Sequence, residues 1–168
     1  MNSEFFTDQI RLAILLGIIA GIVCAIVKLG WEIPFPPRTP NATHPPQQIL
    51  QQLGFSYDFT HLTYLYNQNA RPIISFVVHF GFSIAFTVLY CVIAVFRPGV
   101  TLWEGAAYGL FIWFAFHVVI LPLVGTIPAP WHQPFAEHFS EVTGHMFCFW
   151  VAELVRHDLL YRITHWYA

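Results

Sequence analysis

The chain has 168 residues, of which 57% are hydrophobic and 10% charged, against about 25% charged in an ordinary soluble domain. Seven Lys and Arg against nine Asp and Glu give a formal net charge of −2 with no basic cluster, so composition excludes both a water-soluble globular surface and a nucleic-acid footprint. With a mean hydropathy of +0.58 and 17 Phe, 6 Trp and 7 Tyr, the chain reads as one all-α membrane domain, residues 1–168, with lipid as its solvent.

Ile10 to Leu29, IRLAILLGIIAGIVCAIVKL, supplies the roughly twenty residues that cross a hydrocarbon core of about 30 Å. Glu4 and Asp8 precede it with only Arg11 as a basic group, and no small-residue cleavage site follows, so it reads as an uncleaved anchor rather than a secretory signal. Bulky Val23 before Cys24 argues against lipoprotein processing. Gly17, Gly21 and Ala25 recur at four-residue spacing and form a face for close helix packing, within the chain or against a second copy or another membrane protein.

Residues 30–71 are rich in Pro, Asn and Gln and form one large loop outside the bilayer. WEIPFPPRTP is extended there, because each Pro fixes φ and disfavours helix in the residue before it. PQQILQQLGF predicts a short amphipathic helix with Ile49, Leu50 and Leu53 on one side and Gly54 ending it. The next stretch, FSYDFTHLTYLY, is aromatic and polar together and suits the membrane interface.

Pro72–Phe96, Leu102–Val124 and Phe135–Val155 are each long and apolar enough to cross, which with 10–29 predicts a bundle of four transmembrane helices and a tail RHDLLYRITHWYA. Arg97-Pro98-Gly99 makes a tight connection, while Pro122, Pro128, Pro130 and Pro134 make the next one rigid. Gly105 and Gly109 repeat the small-residue spacing in the third span. An even number of spans puts both termini on one side. Arg11, Arg97, Arg156 and Arg162 then share it against Lys28, Arg38 and Arg71, and the tail arginines follow the last span closely. By the positive-inside rule both termini are cytoplasmic and the Pro-rich loop periplasmic. Cys24, Cys91 and Cys148 lie in apolar runs without paired spacing and read as inert small hydrophobes, not disulfide partners.

Ionisable groups inside spans are expensive and need a partner, a wet cavity or a role. His79, His117 and His145 fall in the second, third and fourth spans. At 1.5 Å per helical residue they lie about 10, 8 and 9 Å from the end nearest the large loop. At about 100° per residue, His138, Glu141 and His145 form one stripe of the fourth helix. The predicted site is therefore His79, His117, Glu141 and His145, with His138 peripheral and Glu32, His132 and Glu137 at its mouth. Such a set suits protons or a divalent ion such as Zn²⁺. It also allows a b-type haem held by His79 and His117, or histidines satisfied by Ser75, Ser83, Thr143 or backbone carbonyls. Glu153 either pairs with Arg156 or Lys28 or continues a proton path. No Ser or Cys sits in a nucleophile-like turn and no Gly-rich phosphate loop is present, so no catalytic residues are assigned. Two other classes stay open: an accessory subunit whose polar residues only pack helices, and a small metal-dependent hydrolase with Glu141 as base.

AGIVCAIVKLGWEIPFPPR carries Lys28, Glu32, Pro34, Pro36, Pro37 and Arg38 in a K-x-x-x-E-x-P-x-P-P-R pattern. With HFGFSIAFTVLYCVIA around His79, FHVVILPLVGTIPAP around His117, and SEVTGHMFCFWVAELVRHDLLYRITH holding Glu141, His145, Trp150, Glu153, Arg156 and Asp158, the chain resembles the YagU-like family of small bacterial inner-membrane proteins. The resemblance leaves out Asn41 to Asn69. It implies a multi-pass inner-membrane protein, associated at family level with tolerance of acid and with no established enzymatic activity, and it supplies no ligand.

Overall fold

Small residues decide the first helix contact. In the computed structural model, which describes residues 3–39 and 42–166, α1 spans Ser3–Trp31 and α4 spans Ile73–Phe96. Pro40 and Asn41 of the loop, and Tyr167 and Ala168 of the tail, lie outside the described residues. A Cβ on Gly17 would stand 2.5 Å from Val88 Cα, and one on Gly21 would stand 2.6 Å from Ile84 Cα, so the two backbones touch where no side chain intervenes. The Gly17, Gly21, Ala25 face is therefore covered within the chain, the first of the two readings that its spacing allows, and Ala25 is fully buried. The opposite face of α1 exposes Ile14, Leu15, Ile18, Ile22 and Ile26, an apolar surface suited to lipid. Gly21→Leu is expected to force α1 off α4, at about 1–3 kcal/mol, read as a lower melting temperature in detergent.

Among the described residues, three helices are long and apolar enough to cross a membrane: Thr7–Trp31, Ile73–Phe96 and Ala106–Leu123. The third begins later than the sequence suggests, because Trp103, Glu104 and Gly105 all adopt positive φ and end the connection in a left-handed turn. It is also not uniform. The run continues from α5 (Ala106–Trp113) through a π-helical segment, Phe114–Ile120, into the single turn α6 (Leu121–Leu123). Pro122 has no N–H to give the carbonyl of Val118, four residues back, so regular α-pairing fails just beyond His117.

The last helix, α7 (Phe135–Trp166), packs on α1 and α5. Its buried face presents Glu137, Ser140, Glu141, Cys148, Phe149, Ala152 and Glu153. Helical spacing thus sets acids and small residues together on the side that meets the bundle, which breaks the apolar run and leaves α7 outside the three spans chosen by composition. The core below the acids is apolar: Ala20, Cys24, Tyr90, Cys91, Ile112, Cys148 and Phe149.

Cys24 and Cys148 are joined in a disulfide, with Cα atoms 4.6 Å apart, tying α1 to α7 across 124 residues. The reading of all three cysteines as inert is corrected for this pair; only Cys91, buried, is free among them. Nothing in linear spacing reveals it, since helix packing alone makes the two positions neighbours. Denatured, unreduced protein is expected to take one maleimide per chain, and three after reduction, by intact mass.

The large loop is built rather than open. Its predicted helix forms as α2 (Pro45–Gln52), closed by Leu53 and by Gly54 at φ 95°. α3 (Tyr57–Thr60) follows, capped by Ser56, and then a hairpin of β1 (Thr63–Tyr66) and β2 (Asn69–Pro72), with Tyr66 opposite Asn69. Asn67 and Gln68 both take positive φ, the turn that matches the twist of a two-residue hairpin. The glutamines of α2 fasten this cap. Gln47 donates to the Thr60 carbonyl and Gln52 to the Val124 carbonyl, while Gln52 accepts from the Thr126 hydroxyl.

Candidate functional site

Five charges from three parts of the chain meet at the loop end of the bundle. Lys28, in the last turn of α1, donates to Glu32 at 2.5 Å, one turn further along the chain, and contacts Glu141 Oε2 at 3.0 Å. The other oxygen of Glu141 accepts from Arg38 at 3.1 Å, and Arg38 also donates to Glu137 at 2.5 Å. The result is an alternating series, Glu32–Lys28–Glu141–Arg38–Glu137. Proline stiffness explains how Arg38 gets there: the IPFPPR segment leaves α1 without helix and lies on α7, where Ser140 donates to the Phe35 carbonyl at 2.5 Å. Room for Lys28 comes from Gly144, where a Cβ would stand 2.8 Å from the lysine Cδ.

Lys28 and Glu141 are each only 4% exposed and Glu137 6%. Groups so far from water persist only when paired, because an isolated buried charge costs several kcal/mol. Outside the spans, His44 at the start of α2 has its imidazole held below the ordinary histidine value, chiefly by burial, with Glu32 opposing the shift and Arg38 adding to it.

Two imidazoles complete the site. His117 brings Nε2 to 3.5 Å from Glu141 Oε2, and its Nδ1 is buried without a hydrogen-bond partner. His145 donates from Nδ1 to the Glu141 carbonyl at 2.7 Å and stands edge-on to His117, ring centres 5.1 Å apart. One ligand atom from each of His117, Glu141 and His145 falls within 4.8 Å of the others.

The remaining predicted positions are placed differently. His79 is not in this group: its Nε2 donates to the Ala25 carbonyl of α1 at 3.2 Å. The Nε2 atoms of His79 and His117 are turned to different partners, the Ala25 carbonyl and Glu141. His138, in the same helical stripe as Glu141, donates to the Pro130 carbonyl at 2.8 Å. His132 lies in the turn before α7, its ring 6.0 Å from that of Trp131. Glu32 and Glu137 are members of the charge series rather than of a separate mouth. Lys28 and Arg38 were absent from the predicted site, although the K-x-x-x-E-x-P-x-P-P-R pattern contains both.

A second buried polar group lies toward the other end of α7. Glu153 accepts from the Tyr90 hydroxyl at 2.8 Å and holds Arg156 through two bonds of 2.6 Å. Of the two partners expected for Glu153, the structure pairs it with Arg156.

Comparison with known proteins adds two findings. Residues 22–154 match the family described as "Protein of unknown function (DUF1440)". The chain is similar to the Inner membrane protein YagU of Escherichia coli (strain K12), 36% identical over 177 aligned positions that cover 92% of this chain and 87% of the relative. No solved structure matches.

Proposed function

The chain belongs to the DUF1440 family, whose YagU relative is named as an inner membrane protein, and we propose that it is a four-span inner-membrane protein whose Glu141 cluster takes up a proton from the periplasmic side. The observation that carries this is a charge count. Three carboxylates and two cations in mutual contact leave one uncompensated negative charge in a buried place, and two imidazoles touch the central carboxylate. One proton on His117 or His145 makes the cluster neutral, and imidazole is the neutral side chain best suited to accept one as the surroundings acidify. The groups facing these imidazoles are Lys28, Glu32, Arg38 and Glu141, with His79 on the adjoining helix.

A divalent ion fits the same atoms less well. Three ligand atoms within 4.8 Å favour it, but both oxygens of Glu141 already contact cations, and a further double charge there would meet Lys28 and Arg38 at close range. Metal binding would require one of them to leave.

α7 serves as the fourth span in this reading. It lies along α1 and α5, and each of its buried acids is ion-paired inside the bundle, as intramembrane acids usually are. Arg11, Arg97, Arg156 and Arg162 then mark the cytoplasmic end and the loop cap faces the periplasm. A proton site open to that side suits the acid tolerance that the family resemblance implies.

The test is the nitrogen spectrum of protein labelled at histidine, recorded as pH is lowered through the range in which the fold holds. Of the two imidazoles at Glu141, one is expected to become imidazolium in the wild type and in His138→Gln, and this signal to be lost in His117→Gln. Zinc added at neutral pH should neither displace a proton nor move the His117 and His145 signals. Zinc-dependent shifts in both, with proton release, would establish the metal reading instead.

A further inference from the structure

Of the seven basic side chains, five are held by carboxylates: Arg11 by Asp8, Lys28 and Arg38 in the charge series, Arg156 by Glu153 and Arg162 by Asp158. Arg71 and Arg97 have no ion pair among the described residues. Arg71 lies in the loop cap, whereas Arg97 stands where α4 ends, at the level at which the chain leaves the apolar layer. Immediately beyond it an open groove of about 350 Å³ begins, lined by Gly99, Val100, Leu102, Ala107, Tyr108 and Phe111.

The groove has a direction. It starts on the 3₁₀ turn Pro98–Thr101, whose Val100 N–H is bonded to the Arg97 carbonyl at 3.0 Å, and continues along Ala107, Tyr108 and Phe111 of α5, the helix that leads into the apolar run Ala106–Leu123. Its floor is fixed, because the Tyr108 hydroxyl donates to the Phe86 carbonyl and the ring packs on Phe149 at 4.9 Å. The nearby carboxylate of Glu104 is engaged by the Trp150 indole N–H at 2.7 Å. Trp103 and Leu102 are exposed beside the entrance, as residues at a bilayer interface are.

We propose that this groove binds one acyl chain of an anionic phospholipid, with the lipid phosphate on Arg97. An apolar slot running inward from an unpaired guanidinium at the interface matches the two chemistries of such a lipid, and a guanidinium forms a two-pronged contact with phosphate. A zwitterionic lipid offers the same chain and phosphate but carries its own cation beside the phosphate, so the site discriminates by headgroup charge. The inference does not depend on the Glu141 cluster.

Native mass spectrometry of the detergent-solubilised protein, titrated with phosphatidylglycerol and phosphatidylcholine of identical chains, tests it. The wild type is expected to retain phosphatidylglycerol preferentially, and Arg97→Gln to lower that preference about fivefold. Ala107→Trp fills the groove without changing charge and should lower retention of both lipids. Arg71→Gln removes the other unpaired arginine and should change nothing. Melting temperature is followed for every variant, and Val100→Trp is substituted for Ala107→Trp should that variant melt early. Equal losses from Arg97→Gln and Arg71→Gln would mean diffuse attraction and overturn the site. Unaltered binding in the groove-filling variants, or no headgroup preference in the wild type, would overturn it as well.

Discussion

Glu141→Ala is expected to be the most destabilising single substitution at the site, lowering stability by about 3–5 kcal/mol through the loss of two charge-assisted contacts at about 1.5–3 kcal/mol each. The carboxylate is in contact with Lys28, Arg38 and His117, and its removal leaves Lys28, 4% exposed, with Glu32 alone. Arg38 keeps Glu137. Glu141→Gln preserves the shape but not the charge, so it should lose nearly as much. A different double variant separates charge balance from the mere number of ion pairs. Lys28→Met with Glu32→Gln removes one cation and one anion together, leaves Arg38 between Glu141 and Glu137, and keeps the net charge of the cluster at one negative. It should melt closer to the wild type than Glu141→Ala does, because a complete pair can be replaced by uncharged groups at little cost, whereas Glu141→Ala takes from both buried cations the carboxylate that bridges them. Thermal melting in detergent, with abundance in the membrane alongside it, measures both. Equal damage from the two variants would show that packing of the long side chains, rather than charge compensation, holds this end of the bundle together.

Much of the helical architecture was legible because lipid imposes a simple requirement. A helix that meets acyl chains must be apolar for about twenty residues, and Ile10–Leu29 and Pro72–Phe96 fall inside α1 and the β2–α4 segment nearly end to end. The third run was placed correctly but its start was not. Leu102 is apolar, yet Trp103 and Glu104 turn left-handed before α5 begins, and no hydropathy pattern encodes that. The hairpin at 63–72 was missed for a related reason: seven of its eight strand residues are exposed and the eighth, Pro72, only partly buried, so no alternation of apolar and polar residues marks it.

The site was legible in part because burial of a titratable group is itself a signal. Glu141, His117 and His145 were grouped by depth and helical phase, and these three meet. Depth does not specify azimuth. His79 lies near the expected level but its ring is turned onto α1, and His138 shares the stripe of Glu141 but is bonded to the preceding turn. From sequence, Lys28 closes the first apolar span and Arg38 belongs to the Pro-rich loop, and neither joins the predicted site. What links them to Glu141 is the fold-back of a proline-stiffened segment over α7 and the space left by Gly144, both long-range features of the packed chain. The Cys24–Cys148 bond escaped for the same reason.

His117→Gln and His145→Gln are expected to reduce survival of cells in acid to that of cells lacking the protein, with its abundance in the membrane unchanged. His145 gives one hydrogen bond, to the Glu141 carbonyl on its own helix, and a glutamine amide can give a bond of the same kind. His117 is held mainly by its contact with Glu141, and one of its nitrogens has no partner, so replacing it removes little that the fold depends on. Neither substitution takes a carboxylate away from the two buried cations, as Glu141→Ala does. Proton uptake, in contrast, is lost, because an amide does not take a proton in this range. His138→Gln serves as the matched control: it alters a histidine of the same helix that bonds a backbone carbonyl away from the charge series, and it should leave survival intact. Immunoblots of membrane fractions beside survival counts decide the matter. Survival that falls only in proportion to protein lost, or falls equally in His138→Gln, would mean that these histidines lock helices together and that Glu141 serves the fold rather than a proton.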